Sequence, residues 1–120
     1  MGLAGRVVIV AGEGDRISQI VPILLAREAF VAVVGSGSVG MDANAWFRVD
    51  ANNPEVWSRI VPHVEQRLGP IDAAATTTDV HSYVRELLEP DMRRRGHGGV
   101  IDVDAAADVE DAIKMLETLL

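Results

Sequence analysis

Short apolar, β-branched runs alternate along this chain with longer stretches whose apolar residues recur every three or four positions. Arg6 to Val10 is the first run and ends at Ala11-Gly12. Apolar on both faces, it predicts a buried parallel strand. Arg16 to Ala29 carries Ile17, Ile20, Val21, Leu24 and Leu25 at helical spacing. Pro22 fits that helix if it begins near Ser18, which puts the proline in the first turn. Val31 to Val34 predicts the second strand, and Trp46 to Val49 a third after a glycine-rich loop. Asn53-Pro54 is a helix start, with Asn as N-cap and Pro at the first helical position. That helix runs to about Leu68 with Val56, Trp57, Ile60, Val61, Val64 and Leu68 on one face, a kink at Pro62 and a stop at Gly69-Pro70. Ile71 to Ala75 is strand four. Val80 to Arg95 is helix three, with Val80, Tyr83, Val84, Leu87, Leu88 and Met92 inward and a kink at Pro90. Val100 to Val103 is strand five. A last helix, Asp108 to Leu120, buries Val109, Ala112, Ile113, Leu116 and Leu120.

Strands alternating with helices across short connections imply right-handed crossovers and one parallel sheet covered on both faces. The expectation is a single α/β domain over residues 1–120, a Rossmann-like three-layer fold with a five-stranded parallel sheet. The chain of 120 residues has no internal repeat, linker or low-complexity tract.

Composition narrows the function classes. A net charge of −7 disfavours nucleic acid and anionic membranes, because phosphate binding needs a basic surface. Aromatics at 4% leave little for base stacking. There are no cysteines, so disulfides, thiolate nucleophiles and cysteine metal sites are excluded. The N-terminus lacks the apolar core and cleavage pattern of a signal peptide, and no apolar run reaches membrane-spanning length. The expectation is a cytoplasmic protein.

The order of landmarks resembles the short-chain dehydrogenase/reductase family. Leu3-Ala4-Gly5-Arg6-Val7-Val8-Ile9-Val10-Ala11-Gly12 is similar to that family's opening strand. Leu25 to Val34 is similar to its first helix end and second strand. Val49-Asp50 before Asn53-Pro54 resembles the stretch whose Asp sits near the adenine. Arg67-Leu68-Gly69-Pro70-Ile71-Asp72 resembles the entry to strand four, and Leu88 to Ile101 the end of the long interface helix and the start of strand five. The resemblance covers about residues 3 to 104. It implies a dinucleotide crevice at the strand C-termini, lined here by Gly12, Gly14, Asp50 and Thr76, as the place where NAD(P) would bind.

Each functional motif departs from the family's. The phosphate loop needs glycines so that backbone can approach the pyrophosphate and the helix can pack closely. Here it is Gly12-Glu13-Gly14-Asp15-Arg16-Ile17-Ser18, with Arg16 and Ser18 where the later glycines belong. Glu13 and Asp15 bring negative charge to the pyrophosphate's place. A like-charge pair ~4 Å apart costs on the order of 4 kcal/mol at an intermediate dielectric, and Arg16 partly offsets it. The family's Asn-Asn-Ala-Gly turn after strand four is Thr76-Thr77-Thr78-Asp79. Where the catalytic Ser falls, this chain has Asp102-Val103-Asp104-Ala105. The family's proton chemistry uses a Tyr and a Lys four residues later on one helix. The one tyrosine, Tyr83, is followed at that spacing by Leu87, and the one lysine, Lys114, is preceded by Glu110. The expectation is therefore no catalytic residues and no cofactor, with NAD(P) as the weaker possibility. The family's later strands and its Tyr/Lys helix are expected to be missing.

Other candidates have simpler explanations. Gly35-Ser36-Gly37-Ser38-Val39-Gly40 matches G-x-G-x-x-G after a strand. A true fingerprint opens a helix, and Met41 to Ala45 leave no room for one. His63, His81 and His97 are too scattered for a metal. Arg93-Arg94-Arg95 in a last helical turn favours the macrodipole. Asp102 and Asp104 are read as charges discouraging pairing at an exposed strand edge rather than as a carboxylate pair. Trp46 and Trp57 are core or interface fillers.

The reading preferred on these residues is a non-catalytic subunit. It acts as a structural or regulatory partner of an oxidoreductase or other metabolic enzyme, or as a homo-oligomer, through helices 54–68 and 80–95. Precedent exists at family level, where polyketide ketoreductases contain a truncated, cofactor-free copy of the fold. The alternative is a small nucleotide- or acyl-CoA-binding module. A working NAD(P)-dependent oxidoreductase comes third.

Overall fold

The computed structural model describes residues 2–36 and 43–120. Five parallel strands lie in the order β3-β2-β1-β4-β5. They are β1 (Val7–Ala11), β2 (Phe30–Val34), β3 (Ala45–Phe47), β4 (Ala73–Thr76) and β5 (Gly99–Asp102), joined by α1 (Asp15–Ala26), α2 (Pro54–Leu68) and α3 (Thr78–Arg95) and followed by α4 (Val109–Thr118). The α/β three-layer expectation holds. β1 sits at the centre, paired Val8↔Val31 on one side and Val8↔Ala73 on the other.

Strand periodicity divides the core in two. Val8, Val10, Val31, Val33, Ala73 and Ala75 face α1 and α4, where Ile17, Ile20, Leu24, Ile113 and Leu116 complete one cluster. Val7, Ile9, Ala32, Val34 and Ala74 face α2 and α3, with Trp57, Ile60, Val64, Val80, Val84, Leu88 and Met92. The strands are apolar on both faces because both faces are covered. α4 lies on the α1 face, so the two helices that flank β5 in sequence, α3 and α4, cover it from opposite sides.

Helix ends follow local chemistry. Asn53 caps α2, its Oδ1 accepting from the Glu55 N–H at 3.1 Å. At the end of α3, Gly96 adopts φ 83° and its N–H donates to Arg93 O, while His97 N–H donates to Met92 O. This is the Schellman arrangement with glycine at the left-handed position. α1 ends the same way, with Glu28 N–H on Leu25 O and Ala29 N–H on Leu24 O. There the left-handed residue is Glu28, at φ 66°.

Several expectations shift. α1 begins at Asp15, so Pro22 lies inside the helix and not in its first turn. The proline faces solvent, where a missing N–H and a freed carbonyl can be hydrated. β3 is one residue earlier at its start and ends at Phe47, and β4 starts at Ala73, because Ile71 and Asp72 serve the bottom of the sheet instead. There the Asp72 carboxylate accepts from Val7 N–H at 2.8 Å and pairs with Arg6, Arg95 and His97. Leu87, expected inward, is 44% exposed. The inward stripe of α3 is Val80, Val84, Leu88 and Met92, and Leu87 falls one position off it. Of the glycine-rich stretch 35–40, residues 37–40 lie outside the described residues.

Candidate functional site

In a sheet that reverses strand order between β1 and β4, the crevice for ligands opens at the strand C-termini. Four turns meet there: Gly12-Glu13-Gly14 after β1, Gly35-Ser36 after β2, Thr77 after β4 and Val103 to Ala107 after β5. Asp50 stands beyond β3, exposed, its Oδ1 accepting the Asn52 N–H at 2.9 Å. The four residues assigned to a crevice by the sequence are thus all at this end of the sheet, but they are not equivalent. Gly14 is exposed, with φ 121° and open space where a side chain would project. Thr76 is fully buried, and its hydroxyl is shared between Ile101 O at 3.3 Å and His81 Nδ1 at 3.2 Å.

Gly12 has its close neighbour within the chain. At φ 124°, a Cβ there would lie 2.1 Å from Thr77 Oγ1 and 2.7 Å from Thr77 Cγ2. The glycine that the family uses for backbone approach to a ligand is here required by a threonine. Thr77 in turn donates its hydroxyl to Asp79, which also accepts from Asn52 Nδ2 at 2.8 Å. These bonds, Thr77's first, hold the Asp79 carboxyl below its ordinary range.

The charged groups of the loop face each other less than the sequence implies. The Glu13 carboxylate accepts from Ser36 N–H at 2.6 Å and Ser36 Oγ at 2.7 Å, tying the β1 turn to the β2 turn. Arg16, expected to offset Glu13 and Asp15, reaches the opposite way. Its Nη1 donates to Val103 O at 2.7 Å and Ala106 O at 2.6 Å, and its Nη2 to Ala107 O at 3.2 Å. A side chain at the position of a phosphate-loop glycine therefore does not crowd α1; it runs to the β5–α4 turn. Spacing alone gives no sign of this, because the acceptors are backbone carbonyls about ninety residues away.

Asp102 and Asp104 correct another expectation. Asp102 ends β5, an outermost strand of the sheet as expected, but both carboxylates are bonded to Thr78 at the start of α3 rather than left to repel a pairing strand. The Asp102 carboxylate accepts from the Thr78 hydroxyl, 2.9 Å at Oδ2, and from Asp104 N–H at 2.9 Å, while Asp104 Oδ2 accepts from Thr78 N–H at 3.3 Å. They act at the N-terminus of α3, where Thr77 makes no side-chain cap. Carboxylates at that end satisfy orphan N–H groups and the macrodipole. Glu13, Asp15, Asp50, Asp79, Asp102 and Asp104 together make this end of the sheet acidic.

Tyr83, the lone tyrosine, lies on α3 with its hydroxyl oxygen buried and without a hydrogen-bond partner among the described residues. The Trp57 indole is close, but its N–H donates to Ala51 O at 3.0 Å. Burial first, then the Asp50 and Asp79 charges, push the phenol above its usual range. The histidines lie apart: His63 packs edge-on against Phe47, His81 meets Thr76 and His97 meets Asp72. Among the described residues no group of His, Asp or Glu has metal-binding geometry, and no helix is long and apolar enough to cross a membrane.

A third feature lies on the α2–α3 face. A groove of about 220 Å³ is lined by Val61, Leu87, Leu88 and Met92 with Glu65 and Arg94 at its margin. Most of the Arg93–Arg95 charge is matched locally, Arg93 by Glu89 and Arg94 and Arg95 by Asp91.

No protein-family model and no curated protein sequence matches the chain. Solved structures do. A C-terminal deletion mutant of the Thermoplasma acidophilum aldohexose dehydrogenase superimposes with a TM-score of 0.72 at 14% identity, over 96% of this chain and 56% of that one. A short-chain dehydrogenase from Bacillus anthracis gives 0.68 at 12% identity, over 91% and 61%. A short-chain dehydrogenase from Leptospira borgpetersenii, solved with bound NAD+, gives 0.55 at 20% identity, over 64% of this chain and 32% of that one. The chain thus spans between about a third and six-tenths of these proteins. It has the Rossmann-like fold of the short-chain dehydrogenase/reductases, in a form that covers part of the length of those enzymes.

Proposed function

We propose that this chain is a non-catalytic, dehydrogenase-like subunit. Its fold presents a surface to a catalytic partner, an oxidoreductase or other metabolic enzyme, or to a second copy of itself. The observation that carries this reading is the state of the crevice. Thr77 fills the space over Gly12, Arg16 is committed to three carbonyls, and carboxylates line the strand ends. A pyrophosphate entering there meets acidic side chains and no uncommitted cation from the loop. Asp102, at the place of the family's serine, is engaged by Thr78 and Asp104. The surface is the α2–α3 face, where Leu87 is the most exposed large apolar residue among those described.

Two measurements test this. Titration with NAD(H) and NADP(H), read by calorimetry and tryptophan fluorescence, is expected to show no saturation below millimolar ligand; micromolar binding refutes the reading. Native mass measurement is expected to show a complex of defined stoichiometry that Leu87→Asp disrupts without loss of folded signal. A monomer with nucleotide bound would favour the second reading, a small nucleotide- or acyl-CoA-binding module. That alternative has one observation of its own: α1 begins at Asp15 with no side-chain cap from Gly14, and both of those residues are exposed.

A further inference from the structure

The turn after β5 is fastened on both sides of the crevice. On one side, Asp102 and Asp104 bind the first turn of α3 through the Thr78 hydroxyl and N–H. On the other, Arg16 in the first turn of α1 donates to Val103, Ala106 and Ala107 carbonyls. Between these points the chain continues the sheet for one more residue, Val103 N–H donating to Thr76 O at 2.8 Å. It then buries Ala106 and starts α4 at the Asp108 cap, whose side chain accepts from Asp111 N–H at 2.8 Å. Residues 103–107 thus form a strap over the ends of β4 and β5, and α4 follows onto the α1 face.

We propose that Arg16 is the latch of a strap-and-helix unit, residues 103–120, which closes the α1 side of the crevice, so that the occupant of this part of the cleft is the chain itself. The inference deepens the non-catalytic reading and rests on it. The latch is a charged group on neutral carbonyls, stronger than an ordinary hydrogen bond. It ties the strap to α1 through three hydrogen bonds among the described residues. α4 has its own ties to α1, Arg27 with Glu117 at 3.1 Å and with Glu110 at 3.7 Å, but both are solvent-exposed and contribute little. Loss of the latch frees a segment that opens without unfolding the central strands, a sub-global opening unit. Opening bares Ile113 and Leu116 on α4 and the residues of α1 beneath them.

Amide hydrogen exchange on the whole chain tests this, with wild type, Arg16→Ala, Arg16→Lys and Arg27→Ala compared. In wild type, amides of 103–107 and α4 exchange slowly, and millimolar NAD+ leaves them unchanged. Arg16→Ala is expected to speed exchange across 103–118 by about tenfold or more, with β1, β2 and β4 as slow as before. Arg16→Lys, with fewer donors, falls between. Arg27→Ala stays near wild type. The proposal is overturned if Arg16→Ala leaves the strap as protected as wild type, if Arg27→Ala loosens it equally, or if exchange rises uniformly over the core strands. NAD+ protection of Gly12 to Ser18 in wild type with the strap closed would refute the non-catalytic reading while leaving the latch standing.

Discussion

Replacing Gly12 by alanine is the sharpest test of what that glycine is for. If its freedom serves a dinucleotide, Gly12→Ala costs binding and little stability. The geometry says otherwise. A side chain at φ 124° costs about 1–3 kcal/mol in backbone strain. Its Cβ would sit 2.1 Å from Thr77 Oγ1, 2.7 Å from Cγ2 and 2.9 Å from Thr77 Cβ, so Thr77 must move. Overpacking of this kind costs about 1–3 kcal/mol. Moving Thr77 also breaks its hydroxyl bond to Asp79, a further 1 kcal/mol or about that. The total is about 3–7 kcal/mol, against the roughly 5–15 kcal/mol that holds a domain together. Urea unfolding followed by the fluorescence of Trp46 and Trp57 measures it. Thr77→Ala removes the two nearest atoms, so the double variant should lose at least about 1 kcal/mol less than the sum of the two single losses. A loss under about 1 kcal/mol for Gly12→Ala, or strict additivity in the double variant, refutes the argument that Thr77 is what Gly12 accommodates.

Glu28→Gly should stabilise the fold by about 0.5–1 kcal/mol in the same assay, because it places glycine at the left-handed C-terminal position of α1, as Gly96 stands in α3; a loss would show that the Glu28 side chain matters there. Tyr83→Phe removes a buried hydroxyl that has no hydrogen-bond partner among the described residues and should leave neutral stability within about 0.5 kcal/mol. The raised folded pKa means that the phenol ionises more readily in the unfolded chain, so wild type is unaffected below pH 10.0 and loses stability as pH rises from there toward the folded value, and the variant should have the flatter alkaline profile; identical alkaline profiles would refute it. For Asp79 the sign reverses. Its depressed folded pKa contributes stability above the ordinary value of 3.8 that disappears as pH falls through the folded value, so Asp79→Asn should be less stable near neutrality and lose less on acidification, and parallel acid curves for the two proteins would count against it.

Much of the architecture was legible in the residue pattern. Buried parallel strands are apolar on both faces, so the runs Arg6 to Val10 and Val31 to Val34 marked β1 and β2 to within a residue at each end, and Asn53-Pro54 placed the start of α2 through local chemistry alone. The misses came where the third dimension outweighs local preference. By local rules Pro22 fits a helix that begins near Ser18, yet α1 begins at Asp15, because the face of α1 that carries Pro22 is solvated and the missing bond costs less there. Leu87 carried the right residue type but the wrong angle around α3.

The sequence by itself determined the order of elements, the layered α/β fold and the departures from a phosphate-binding loop, because these depend on periodicity and on which residues stand within a few positions of each other. Only the tertiary structure decided what Gly12, Arg16, Asp102 and Asp104 do. Gly12 accommodates Thr77 from another strand end, Arg16 grips carbonyls of the β5–α4 turn, and the two aspartates serve the start of α3. The partners are backbone atoms or distant turns brought together by parallel crossovers, and a backbone carbonyl carries no residue-specific mark by which a reader of the sequence can find it.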